Sequence, residues 1–142
     1  MMRKTLISAF AAIAATATAQ AGAIVETPAE LQETFDMIVE HTEVDAKLYV
    51  VTSQARNQYD MLSGMARNAL GYAVNTESGG CFVFIREEIA NSYRGHYILE
   101  HEIGHCVAWE MHGDSIGSGH GREFKAACQT YSTNINSCKA SY

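Results

Sequence analysis

His101-Glu102-Ile103-Gly104-His105 constrains this chain more than any other stretch. It reads H-E-x-x-H, inside a run with helical character from Tyr97 to His112. On a helix, residues four apart share one face, about 6 Å apart along the axis. Two imidazoles so placed can grip one metal ion. The Glu between them turns to the edge of that face, within reach of a water on the metal. Zinc in such a site acts as a Lewis acid and makes that water more acidic, and the carboxylate takes the proton. The motif therefore predicts a helix here and, with one more ligand, the apparatus of zinc-dependent peptide hydrolysis.

A catalytic zinc needs three protein ligands and an open position. The downstream candidates are His112 and His120. On a continuous helix His112 lies about 10 Å beyond His105 along the axis. That is too far to share an ion whose bonds to nitrogen are near 2.1 Å, to within about 0.1 Å. Gly113 reads as the residue that ends the helix, which leaves His112 as a C-terminal His favouring the macrodipole. His120 lies in Gly117-Ser118-Gly119-His120-Gly121, after a Gly/Ser/Asp loop able to turn the chain back over the helix. The metzincin pattern is absent: Ala108 stands where its Gly is required and Met111 where its third His is required.

H-E-x-x-H, then Gly119-His120-Gly121-Arg122-Glu123-Phe124 fourteen residues on, resembles the SprT-like (Spartan-type) zinc metallopeptidases. Trp109 fits as the bulky residue later on the active-site helix. The resemblance covers Arg94 to Cys128 and extends weakly upstream. It implies that His101, His105 and His120 bind zinc and that Glu102 is the catalytic base. It also implies a zincin-like fold in which a sheet strand borders the cleft and holds the substrate as an added strand. Cys81 to Arg86 is the strand expected there. Members that act on protein crosslinked to DNA are basic in their DNA-binding parts, and this chain is not.

The N-terminus reads as an export signal. Arg3 and Lys4 precede a short apolar run from Leu6 to Ala15, and Ala19-Gln20-Ala21 supplies an A-x-A cleavage site. The expected division is residues 1–21 as signal peptide and 22–142 as one domain, secreted or periplasmic, monomeric, with no membrane span once cleaved. Cleavage would lower Lys plus Arg from 10 to 8 against 16 Asp plus Glu, a net charge of −8. Such a surface is poorly suited to nucleic acid, whose phosphates reward clustered Lys and Arg. A protein or peptide substrate is the expected partner.

Cys81, Cys106, Cys128 and Cys138 make an even count, which in an exported chain suggests two disulfides among three pairings. At about 100° per residue Cys106 faces with Leu99 and Ile103, away from His101 and His105, and so reads as a core or disulfide thiol rather than a ligand. Cys128 and Cys138 are close enough in sequence to tie the tail to the last helix. Cys81 with Cys106 would then pin a strand to the active-site helix.

Helices are expected at Thr27 to His41, with Thr27 as N-cap and Pro28 at the first helical position, at Tyr93 to His112, and at Gly121 to Tyr131. Strands are expected at Lys47 to Thr52, Ala69 to Val74 and Cys81 to Arg86, with a turn over Asn75 to Gly80. Residues 53–68 read equally as a short helix or a loop. The fold class is α+β, about three helices on a small three-stranded sheet. His41 and His96 read as surface or satisfied histidines. Tyr93, Tyr97 and Tyr131 are candidates for stabilising an oxyanion, and Asp114 for orienting a ligand imidazole. Two other functions fit the same residues: a zinc hydrolase of cell-wall peptides, and a disulfide-stapled binding module with a non-catalytic zinc.

Overall fold

The molecule, a computed structural model, describes residues 24–52, 69–77 and 79–140. The expected signal peptide and the ambiguous stretch 53–68 lie outside the described residues. In chain order the elements are β1 (Ile24–Val25), α1 (Ala29–Thr42), β2 (Ala46–Val51), β3 (Gly71–Asn75) and β4 (Cys81–Arg86). The helices α2 (Glu87–Ala90), α3 (Tyr93–His112), α4 (Asp114–Gly117) and α5 (Arg122–Gln129) follow. The class is α+β, with five helices and four strands among the described residues rather than three and three. The additions are short. A two-residue strand and four-residue helices carry too little periodicity to be read from sequence.

The sheet runs in the order β1-β2-β4-β3. β2 and β4 are parallel, from Ala46 opposite Cys81 to Val51 opposite Arg86. β3 is antiparallel to β4, from Gly71 opposite Ile85 to Asn75 opposite Cys81. β4 thus has a neighbour on each side, which accounts for its nearly continuous apolar run. Its alternate residues serve two faces. Cys81, Val83 and Ile85 join the main core, and Phe82 and Phe84 join an aromatic cluster with Tyr49 and Tyr72 on the opposite face. The strand expected to border the cleft is therefore central. The terminal strand on that side, among the described residues, is β3.

α1 buries Leu31, Phe35 and Ile38 at one-turn spacing. It starts one residue later than expected in its helical turns. Pro28 is the N-cap and Thr27 makes no cap, because the Pro28 carbonyl already accepts from Gln32 N at 3.0 Å. α3 matches its expected bounds. The Ser92 side chain accepts from Gly95 N at its start, and Gly113 (φ 82°) ends it after His112. Every residue of α3 from Ile98 to Ala108 is buried. Ile98, Leu99, Ile103, Cys106 and Val107 belong to the core shared with the sheet and α1, which leaves His101 and His105 toward α5 and the C-terminal segment. Disulfides join Cys81 to Cys106 and Cys128 to Cys138, so one bridge pins β4 to α3 and the other pins the tail to α5. No described helix is long and apolar enough to cross a membrane.

Candidate metal centre

Three histidines converge at one point. His101 and His105 come from α3, and His120 comes from the turn before α5. His120 Nε2 lies 3.1 Å from His101 Nε2 and 3.1 Å from His105 Nε2. Bonds of about 2.0–2.1 Å to a tetrahedral zinc would set ligand nitrogens about 3.4 Å apart, close to what is seen.

The far side of each helical ring explains the convergence. His101 Nδ1 lies 2.9 Å from the Ser137 carbonyl oxygen, and His105 Nδ1 lies 2.7 Å from the Gly117 carbonyl oxygen. A carbonyl only accepts, so both Nδ1 atoms donate and carry the proton. In the neutral rings Nε2 then presents a lone pair, and both lone pairs point at His120. Backbone carbonyls from two separate segments thus fix tautomer and ring direction, as metal-ligating histidines require. The donor set suits a divalent cation with a taste for imidazole.

Burial keeps these rings neutral. Burial first, then His105, pushes His101 from 6.5 to about 3, with a smaller push from His120 and against the opposing Ser137 hydrogen bond. His105 is lowered by burial and by His120, against the hydrogen bond to Gly117, and His120 is lowered by burial. Neutral imidazole is the form that binds metal. A consequence follows for the metal-free protein. Below pH 6.5 the unfolded chain takes up a proton that folded His101 refuses until about pH 3, so stability present above 6.5 is lost as pH falls. At pH 5 His101 alone removes about 2 kcal/mol. Urea unfolding of metal-free protein at pH 7 and pH 5 should show this loss, and His101→Gln should reduce it, leaving the part due to His105 and His120.

Phe124 of α5 is fully buried and forms the floor. Its ring centroid lies 4.9 Å from that of His101, 4.5 Å from His105 and 5.1 Å from His120. Gly104 makes this approach feasible, since a Cβ there would sit 2.8 Å from Phe124 Cε2. Trp109 stacks obliquely on His105 at 5.8 Å and donates from Nε1 to Ser118 Oγ at 3.1 Å. Glu102 is buried on α3, one residue and about 100° from His101. It lies against the start of β3: a Cβ on Gly71 would be 3.1 Å from Glu102 Cγ. The strand beside the candidate base is thus β3, and the Cys81–Arg86 expectation is corrected on this point.

Other sequence candidates fall elsewhere. His112 is exposed at the end of α3, outside the cluster. His41 is exposed near the end of α1, and His96 Nδ1 pairs with Thr34 Oγ1 at 3.0 Å. Asp114 does not orient a ligand imidazole. It accepts from Asn75 Nδ2 at 2.8 Å on the surface, and the orienting groups are the two carbonyls. The Tyr131 hydroxyl donates to the Glu100 carbonyl at 2.7 Å, and burial, with the charges of Glu100 and Glu102, pushes its phenol up. Tyr93 is 74% exposed, and Tyr97 packs on the core. Ser137, Gly117 and Gly104 were invisible as site residues, because a backbone carbonyl or a missing Cβ has no motif of its own. No family model, curated protein or solved structure matches this chain, and its likeness to the SprT-like group rests on its own residues.

Proposed function

We propose that this chain is an exported zinc-dependent endopeptidase of the SprT-like kind. One observation carries the reading: His120 Nε2 lies 3.1 Å from the Nε2 atoms of both His101 and His105, whose tautomers are fixed by carbonyls and which share a helix with Glu102. His101, His105 and His120 would hold the ion. When bound, zinc supplies Lewis acidity toward water and toward the scissile carbonyl. The Glu102 carboxylate accepts the proton of the attacking water and delivers it to the departing amine. An extended substrate lies along β3, whose backbone begins beside Glu102, and is held by main-chain hydrogen bonds. Phe124 closes the floor and keeps bulk water from beneath the rings. A purely structural zinc would have no need of a carboxylate at position 102, which favours catalysis over a binding module.

Export is supported by the charged and apolar N-terminal pattern and by two disulfides, which persist in oxidising compartments. The test is elemental analysis of purified protein beside cleavage of denatured casein and of cross-linked cell-wall peptides. About one zinc per chain with chelator-sensitive cleavage of casein is expected. Cleavage of cell-wall peptides alone would move the substrate to that class. Bound zinc without hydrolysis of either would leave a binding module.

A further inference from the structure

Glu100 immediately precedes the first histidine, yet its side chain is 1% exposed and faces neither solvent nor the histidine cluster's centre. A buried carboxylate costs free energy unless it is hydrogen-bonded throughout. Here it is. Oε2 accepts from Thr133 N at 2.9 Å and from Ser137 Oγ at 2.7 Å. Oε1 accepts from Thr133 N at 3.1 Å and from the Thr133 hydroxyl. The Glu100 backbone carbonyl takes the Tyr131 hydroxyl. One residue therefore holds the chain at positions 131, 133 and 137.

The held segment is the one that orients a metal ligand. Ser137 is fully buried, and its carbonyl oxygen sits 2.9 Å from His101 Nδ1. Cys138, the next residue, is bonded to Cys128 of α5. The Ser137 carbonyl is thus fixed from two directions, by its own side chain to Glu100 and by its neighbour to α5. His105 is oriented independently by Gly117, at the end of α4.

We propose that Glu100 is a positioning residue for the metal centre, acting through the tail and the Ser137 carbonyl on His101. The inference rests on the metal-binding part of the proposed function. Glu100 touches neither metal nor substrate. It sets the direction in which His101 presents Nε2, and so the affinity of the site. Because His105 has a separate anchor, loss of Glu100 disturbs one ligand and spares the other.

The experiment compares wild type, Glu100→Ala and Glu100→Gln by zinc affinity in chelator competition and, in the metal-free proteins, by the exchange rates of the His101 and His105 Nδ1 protons in NMR. Outer partners of metal ligands are typically worth about 10–100-fold in affinity. Glu100→Ala should weaken zinc by about that factor, and Glu100→Gln, which keeps shape and one acceptor, should fall between it and wild type. His101 Nδ1–H should exchange faster in both variants while His105 Nδ1–H stays slow. A folded Glu100→Ala with affinity within about twofold of wild type and unchanged His101 exchange overturns the inference. Should Glu100→Ala not fold, the same two readings on Glu100→Gln decide. Wild type that binds no zinc overturns the metal reading itself, and the proton-exchange result still decides whether Glu100 positions His101.

Discussion

Glu102→Gln should retain zinc and lose peptide hydrolysis. The amide keeps the shape of the carboxylate but has no basic oxygen to take a proton from water. Glu102 is buried between the histidine-bearing side of α3 and the first residue of β3, so a near-isosteric change leaves packing in place. General bases contribute about 10²–10⁴-fold, so kcat/KM should fall by that factor, about 3–5 kcal/mol of transition-state stabilisation. Zinc content should match wild type, because His101, His105 and His120 are untouched. The measurement is steady-state cleavage of an unfolded protein beside metal analysis of the same sample. Activity within a few-fold of wild type would remove Glu102 from the mechanism.

What the sequence shows of this site is what the helix period dictates. His101, Glu102 and His105 lie in a continuous helix that ends at Gly113, and that much is readable from spacing, while the Ser92 cap at its start is seen only in the structure. Cys106 is turned away from the histidines by the same arithmetic, and it is buried in a disulfide to β4. His120 required more, since a loop residue has no period. A Gly-rich approach and likeness to a known motif singled it out, and its ring meets the other two. The groups that aim the rings were out of reach. Ser137 is 36 residues from His101 and acts through its carbonyl, a group every residue has. The sheet order was equally hidden. The resemblance puts β4 at the border of a cleft, whereas strands flank β4 on both sides. Glycine at position 71 left the true neighbour of Glu102 without a side chain to notice.

His120→Ala should abolish tight zinc binding while leaving the fold nearly as stable as wild type without metal. The reason lies in where each histidine sits. His101 and His105 are buried in the central helix, 2% and 8% exposed, and are hydrogen-bonded to distant backbone, so replacing either perturbs packing as well as coordination. His120 is partly exposed in the turn before α5, and its ring meets the other two imidazoles and, near-perpendicular to it, the ring of Phe124. Its removal therefore separates metal binding from folding. A lost ligand should cost more than the roughly 10–100-fold typical of an outer partner. His112→Ala is the matched comparison. It removes an exposed imidazole from the end of α3 and should leave affinity within about twofold, since an interaction confined to the helix macrodipole is worth only about 0.3–1 kcal/mol of helix stability. Chelator competition on both variants, with unfolding curves of the metal-free proteins, gives the answer. Zinc retained in His120→Ala and lost in His112→Ala would reverse the assignment. The pattern expected here instead leaves the third coordination position with the Gly-flanked histidine that the chain folds back over α3.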